Sequence, residues 1–431
     1  MHGRIHSPHM PSKEISTWLA TASLPQFPKL TKDIETEVAI IGGGLAGLFS
    51  AYLLAKAGKK VVVLEKHRIS RMGTGFTTGF LTQSIDTDTV DQVSMYGDKD
   101  TRRIWESHGK AIDLIEKIVR DEKIDCEFTR CTNYLYANDR KELKALEEEA
   151  REMRRLGFKA SLTKRELGFK SRGALAIPDQ GKYHAVKFVA GLCKALERMG
   201  VDIYEKTEVV EIQGSGKGRE RFTVIAGKRE IRADWTITAT YQPFNNPKEV
   251  FLQKGMYVSY IIELEVPKGK YPEGTYEDLD NPYHYFRVDK GRGKNGKDRV
   301  LIGGEDHRKE VGTKKMEEKS FKALREYAQE VFGRKYPEVR QWSGYILEPV
   351  DGIAFIGEYD PRQLIATAFS GNGMTYSGIS AMIFRDSIAG KKNPYIELYR
   401  PGRTPTLNQL WKKGRDFTEE FFRGAVANVF K

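Results

Sequence analysis

The chain is 431 residues long, 39% of them hydrophobic, and carries a formal net charge of +12. This is the composition of an ordinary soluble globular protein, long enough for two or three domains with ample cores. Residues 1–18 lack the apolar segment of a secretory signal, and the cysteines (Cys126, Cys131, Cys193) are odd in number and few, which points to reduced thiols and a cytoplasmic setting.

Residues 1–33 are polar and punctuated by Pro8, Pro11, Pro25 and Pro28, and read as an extended lead-in docked on the surface, with Trp18 and Leu24 as anchors. Residues 38–41 (VAII) read as a buried parallel strand. Gly42, Gly44 and Gly47 then form G-x-G-x-x-G, and an apolar-periodic helix runs from Leu45 to about Ala57. Gly58 closes that helix, and residues 61–64 are a second strand that leads into Glu65. A hydropathy window would flag residues 38–55 as membrane-spanning, but the glycines and the strand–turn–helix pattern explain the run better. An acid about 20 residues beyond such glycines, after a second strand, completes the pattern of a dinucleotide-binding βαβ unit. Gly42 permits the tight turn, Gly44 lets a pyrophosphate approach the backbone, and Gly47 lets helix and sheet pack closely. The helix N-terminus offers N–H groups and positive potential to phosphates, and Glu65 can accept from a ribose 2′-OH.

Residues 71–83 are dense in glycine and threonine. They suit phosphates and ribityl oxygens or, read plainly, form an ordinary turn. Residues 99–120 and 188–198 are expected to be helices, and 141–156 a charged helix with a solvated face. Residues 202–204, 208–212 and 221–225 read as strands, 214–218 as a hairpin turn and 235–240 as a buried strand. From 255 to 287 the pattern is β-rich and aromatic. Tyr283, Tyr285 and Arg287 alternate and so share one strand face, which lines a cavity or is simply half-buried. Residues 299–304, 351–357 and 364–368 read as strands and 321–332 as a helix. Residues 369–377 then open a helix that runs to about Ile388 and repeat the logic of the first glycine loop. Residues 406–431 place apolar side chains near helical spacing among Lys412, Lys413 and Arg415. Such a helix docks on its own domain or a partner subunit, or makes peripheral contact with an anionic membrane. The positive surplus favours acidic partners. The basic residues are scattered, however, with clusters only at 290–297 and 400–415, so nucleic acid is not an expected partner. No His or Cys group has metal-ligand spacing, and no metal is expected.

Together, residues 38–66, 73–83, 124–128, 207–212, 301–305, 351–357 and 371–375 resemble the glycine/D-amino-acid oxidase superfamily of FAD-dependent oxidoreductases. The likeness runs from about Trp18 to Pro401 and is closer to a bacterial subgroup often fused to a C-terminal Rieske domain. It implies an α/β fold, in which a Rossmann-like FAD-binding domain is interleaved with an α+β substrate domain built on a mixed or antiparallel sheet. The expected division is a lead-in (1–33), an FAD-binding domain (34–110, 180–245, 345–392), a substrate domain (111–179, 246–344) and a tail (393–431). The resemblance implies that Gly42, Gly44, Leu45, Ala46 and Gly47 hold the pyrophosphate and that Glu65, with Lys66 beside it, holds the adenosine ribose. Thr77 and Thr78 would lie along the phosphates and ribityl chain, the backbone of Val209 at the adenine, and Gly371, Gly373, Met374 and Thr375 at the flavin ring. The implied reaction is oxidation of a small amine or amino-acid-like molecule by hydride transfer to flavin N5. FAD would be non-covalent, because no His or Cys stands where attachment occurs; Phe76 lies in that loop. Tyr257, Tyr260, Tyr285, Arg287 and His307 are candidates to line the substrate pocket, and no catalytic base announces itself.

Departures from the family pattern shape the expectation. No cysteine follows Cys193, so a Rieske cluster, which needs two Cys and two His, is not expected in these residues. Ile346 stands where amino-acid oxidases carry an arginine for the substrate carboxylate, which argues against a simple α-amino acid. Ile302 aligns with the oxygen-activating lysine of sarcosine-oxidase-like relatives, which points to another acceptor. Rival readings are a flavin-containing assembly or RNA-modification partner without oxidase activity, and a membrane-surface amine dehydrogenase passing electrons to a quinone or iron–sulfur partner. A disulfide reductase is disfavoured: Cys126 and Cys131 lack flanking glycines, and no second G-x-G-x-x-G follows.

Overall fold

The structure is a computed structural model that describes residues 15–164, 166–218, 220–245, 254–308 and 313–409. β1 (Ile34–Ile41) and β2 (Val61–Leu64) run parallel with Val38 opposite Val61 and Ile41 opposite Leu64. These paired residues are buried, as central parallel strands covered on both faces must be. Between them lies α2 (Leu45–Lys56), preceded in the chain by the short α1 (Thr17–Thr21). The apolar run 38–55 is thus divided between strand, turn and helix, and among the described residues no helix is long and apolar enough to cross a membrane.

The first sheet also holds β7 (Asp202–Tyr204), β8 (Glu211–Gln213), β9 (Phe222–Ala226), β10 (Arg229–Thr238), β16 (Phe355–Asp360) and β17 (Gln363–Thr367). Its order is β16-β17-β10-β1-β2-β7, with the β8–β9 hairpin attached to β10. Helices α2, α3 (Thr89–Asp121) and α5 (Ala185–Arg198) contribute to one core with Gly373–Ile388. Expected and observed elements differ where the chain is diverted. β8 begins at Glu211 rather than 208; Thr207 N–H donates to Glu65 O at the end of β2, and Val210 N–H is the first to donate to β9, at Ile225 O. β16 starts at Phe355 rather than 351, because Arg403 takes the carbonyls of Ile353 and Ala354. The helix expected at 99–120 begins at Thr89, with a break at Gly97 (φ +75°). The amphipathic helix expected over 406–431 lies outside the described residues beyond Gln409.

The second sheet holds β3 (Phe80–Leu81), β4 (Thr129–Ala137), β5 (Ser161–Thr163), β6 (Gly173–Lys182), β11 (Lys254–Val266), β12 (Gly274–Glu277), β13 (His284–Asp289), β14 (Asp298–Arg308) and β15 (Glu338–Pro349). Its order is β15-β11-β14-β13-β12-β4-β6-β3, with β5 on β6. Alternation sorts its side chains. Tyr260, Ile262, Leu264, Phe286, Val288, Val300 and Ile302 form the core under α6 (Lys314–Phe332), reached by Phe321, Leu324, Ala328 and Phe332. α4 (Arg140–Arg155) covers a smaller cluster at the β4–β6 end. The opposite, inner face carries Ile261, Leu301 and Trp342, which pack on Trp18 of the lead-in.

That inner face is built on a buried ion cluster. Asp289 accepts from Arg287 Nε (3.0 Å) and Nη2 (2.8 Å), Lys182 Nζ (2.7 Å), and Arg299 Nε (3.0 Å) and Nη2 (2.8 Å). All four residues are at most 3% exposed. Burial alone would raise the Asp289 pKa, but Arg287, Arg299 and Lys182 outweigh it and hold the carboxyl well below the usual range. The Asp289→Asn variant, which leaves three buried cations short of their counter-charge, should lose about 3–5 kcal/mol in urea unfolding at neutral pH. Because the folded pKa is depressed, the Asp289 contribution is fully present above the unfolded carboxyl's 3.8 and is lost only as pH falls further. The gap between wild type and variant should therefore hold down to mildly acidic pH and narrow only below it.

Candidate active site

The first glycine loop has the geometry its residue types require. Gly42 has φ +116°, and a Cβ there would lie 2.5 Å from Ala239 O. A Cβ on Gly47 would lie 1.9 Å from Gly42 O, so any larger residue would part helix and strand. Gly44 caps α2 in an extended conformation, and the first intrahelical bond is Leu48 N–H to Gly44 O at 3.0 Å. The N–H groups of Ala46 and Gly47 therefore have no acceptor within the helix. Leu45 N–H donates to Thr74 Oγ1 at 3.1 Å. Glu65 is half-buried at the end of β2, and its two oxygens accept from Gly43 N–H (2.8 Å) and His67 N–H (2.7 Å). Lys66 turns outward to Glu208 at 2.6 Å. Val209 is buried against Leu64 and Val62 on the flank of the same strand.

Residues 73–86 run past three elements in turn. Thr74 meets the N-terminus of α2. The carbonyls of residues 76–79 are captured one after another by buried side chains of the inner face and the lead-in. Trp342 Nε1 donates to Phe76 O at 3.1 Å and Trp18 Nε1 to Thr77 O. Arg287 Nη1 donates to Thr78 O (2.8 Å) and Gly79 O (3.0 Å). Gly344 lets β15 close on this loop, since a Cβ there would stand 3.1 Å from Phe76 O. The Thr77 hydroxyl accepts from Gly79 N–H at 3.1 Å, and that of Thr78 bonds the Tyr285 phenol. Further on, Thr82 Oγ1 and Ser84 O bond Asn372 Nδ2 at 3.1 and 3.2 Å, and Asp86 accepts from Gly371 N–H at 2.9 Å.

The second glycine loop leads into α7 (Gly373–Ile388), followed by α8 (Ile396–Tyr399). Ala368 (φ +58°) and Ser370 (φ +48°) both hold left-handed backbone just before it, a strained pair of the kind that marks functional turns. The side chains of Met374 and Thr375 face inward. Tyr183 OH donates to Met374 Sδ at 2.9 Å, and Thr375 donates to Asn372 O at 3.1 Å. Thr375 accepts in turn from His108 Nδ1 at 2.7 Å, the tautomer this network requires. Burial pushes the His108 pKa down to about 3, so it is neutral at physiological pH. Met374 and Thr375 thus turn their side chains into the core.

The pocket candidates separate by strand face. Tyr285 is on the inner face of the second sheet. Its ring lies over Gly303, where a Cβ would approach within 2.3 Å, and its hydroxyl is 3.2 Å from Ser259 Oγ. Tyr257 belongs to the same face by alternation with Ser259 and Ile261. Tyr260 and His307 do not share that face. They stack on each other (5.4 Å between centroids), and Tyr260 packs on Phe321 of α6. Arg287 has the expected face but is 1% exposed and fully engaged, so it positions residues 78–79 instead of meeting a substrate. Ile302 also points under α6; Leu301 and Gly303 are the inward residues of β14. Ile346 shares the inward register of Gly344 opposite Tyr257. Motif reading passed over Thr74, Ser259 and Glu277. Glu277 stands opposite Tyr285 in the β12–β13 pair and accepts from Asn133 Nδ2 at 3.0 Å.

These residues fit a dinucleotide. The two free N–H groups of α2 and the acceptor Glu65 are spaced along one strand–turn–helix unit, as a pyrophosphate and a ribose require. Next to the backbone that Gly42 approaches, the buried Thr240 Oγ1 has no partner among the described residues. A buried hydroxyl without a protein partner suits a polar ligand or an ordered water.

A family model described as FAD dependent oxidoreductase (DAO) matches residues 37–387. The chain is 30% identical over 419 residues to a Bacillus subtilis protein named as a Rieske 2Fe-2S iron-sulfur protein, YhfW, covering 95% of this chain and 80% of that one. It is 25% identical to the gamma-glutamylputrescine oxidoreductase of Escherichia coli over 388 residues, 84% of this chain and 86% of that protein. Among solved structures, glycine oxidase from Geobacillus kaustophilus superposes with a TM-score of 0.72 at 18% identity, over 86% of this chain and all of that one. L-amino acid deaminase from Proteus vulgaris gives 0.70 at 16% identity, over 89% of this chain. The last two show a shared fold.

Removing the Glu65 carboxylate in Glu65→Ala should raise the dissociation constant for FAD about 10- to 100-fold, the worth of about 1.5–3 kcal/mol for charge-assisted bonds. Quenching of flavin fluorescence on titration into apoprotein measures it. Lys66→Ala, which removes only an exposed ion pair, should shift the constant less than about threefold.

Proposed function

Because this chain belongs to the FAD-dependent oxidoreductase family, we propose that it oxidises a small amine or amino-acid-like molecule, removing hydride from the carbon beside nitrogen. The observation that carries this reading is the convergence of three elements along residues 73–86: the N-terminus of α2, the inner face of the second sheet and the N-terminus of α7. In this reading the first sheet, drawn from 34–110, 180–245 and 345–392, forms the FAD-binding domain. The second, drawn mainly from 111–179 and 246–344, forms the substrate domain, although β3 comes from the first group and β6 and β15 cross the boundaries.

Gly44, Leu45, Ala46 and Gly47 would hold the pyrophosphate of FAD through backbone N–H groups, Glu65 the adenosine ribose, and Val209 the adenine edge. Thr77 and Thr78 would flank the ribityl chain, and the backbone at 371–375 the flavin ring. When bound there, FAD supplies the electron sink, accepting hydride at N5. The chain's own residues orient and enclose the substrate. Tyr257, Ser259 and Tyr285 offer hydroxyls on the inner face, and Ile346 closes the place where a carboxylate-binding cation would stand. Amine substrates agree with the name of the Escherichia coli relative, and transfer of electrons to a separate acceptor protein agrees with the Rieske name of the Bacillus relative.

Anaerobic addition of primary and secondary amines should bleach the visible flavin bands of the FAD-loaded protein. α-Amino acids should do so at least about tenfold more slowly, for want of a bidentate cation. Failure of every amine and amino acid to reduce the flavin would overturn the reading. Reduction by α-amino acids as fast as by amines would remove the role given to Ile346.

A further inference from the structure

Glu277 has no task in the reading above, yet its place is built with care. It is inward-facing on β12, opposite Tyr285. Its Oε1 accepts from Asn133 Nδ2 at 3.0 Å. Asn133 is fully buried and is itself fixed by Thr275 Oγ1, which donates to Asn133 Oδ1 at 2.7 Å. The amide is thereby aimed so that its N–H holds the carboxylate. Arg287, the next inward residue of β13, is spent on Asp289 and on backbone carbonyls.

Three further carboxylates act on Glu277, and one of them, Asp278, is itself paired with His284 at 3.0 Å, whose imidazole pKa, against the pull of burial, is raised to about 9 by Asp278 and Glu305. Asp86 and Asp88 come from the segment after β3, and Asp278 follows it in the chain. Burial pushes the Glu277 carboxyl up to about 7; Asn133 pulls it back in part, and Asp86, Asp88 and Asp278 add to the rise. A half-buried carboxylate among like charges costs folding stability unless a ligand uses it. A second acceptor is held by the segment that carries Asp86. Asn372 is 9% exposed and bonds through Nδ2 to Thr82 and Ser84 of that segment. Its Oδ1 has no partner among the described residues.

We propose that Glu277 binds an alkylammonium group at the end of the substrate remote from the oxidised carbon, so that the preferred substrate is a diamine or aminoalkyl amine rather than an amino acid. This rests on the amine-oxidation reading and narrows it. Glu277 is a specificity residue; the electrons and the proton of the reaction do not pass through it. Deprotonated Glu277 attracts the cation and protonated Glu277 does not. The preference is therefore present above the Glu277 pKa and lost as pH falls through it.

The test compares pentane-1,5-diamine, pentylamine and 5-aminopentanoate on the FAD-loaded protein without oxygen. Affinity is taken from saturation of flavin bleaching, or from calorimetric titration where no bleaching occurs. The diamine should bind about tenfold or more tightly than pentylamine at about pH 8, and 5-aminopentanoate more weakly than either. The diamine-to-monoamine ratio should fall towards one at about pH 6, since both alkylamines stay protonated on that range. Glu277→Gln, checked for FAD loading by its absorption, should abolish the ratio and its pH dependence, and Glu277→Asp should keep part of both. Amines that reduce the flavin with no diamine preference, or a preference that survives in Glu277→Gln, would overturn the proposal and leave amine oxidation standing. A Glu277-dependent preference in a protein that no amine reduces would support the cation site and reject amine oxidation.

Discussion

The structure depends on how residues 76–79 are held. Buried backbone carbonyls must be satisfied inside the protein. Here Trp342, Trp18 and Arg287 take those of residues 76–79 in sequence. Arg287 can do so only because Asp289 fixes its guanidinium, with Lys182 and Arg299 completing the cluster. A buried ion group is weak evidence of stability by itself. Its value here is positional, since it ties the second sheet to the loop that the first glycine turn also contacts through Thr74.

The second glycine turn is held by different means. Left-handed backbone at Ala368 and Ser370 aims the start of α7, and the His108–Thr375–Asn372 chain locks its first turn from behind. Because burial keeps His108 neutral, with a pKa near 3, that lock does not titrate across the physiological range. Both helix N-termini therefore offer fixed positive potential, one suited to phosphates and the other to a ring that gains negative charge on reduction.

Much of the first sheet was legible in the residues, because its signals are local. The helix and second strand of 38–65 were placed to within a residue or so, and the helix end at Ile388 likewise, whereas β1 begins four residues earlier, at Ile34. The inner face of the second sheet was harder, because register and partners are non-local. Tyr257 and Tyr260 are an odd number of residues apart and so fall on opposite faces, a clue that aromatic content alone hides. Tyr285 and Arg287 do share a face, but Asp289, two residues on, claims the arginine; the R-x-D spacing was the available signal. Ile302 was one residue out of register with the inward positions Leu301 and Gly303. Glu277 lies in a four-residue strand whose role depends on Asn133, 144 residues away in sequence.

The central claim is that this chain builds a site for dissociable FAD between the two glycine turns, held open by residues 76–79. The visible absorption spectrum of the purified protein, recorded before and after denaturation and filtration, tests it most directly. The account predicts flavin bands in the native protein that pass wholly into the filtrate. A colourless protein that takes up no added FAD would contradict the site itself, and flavin bands retained with the denatured chain would contradict its non-covalent character.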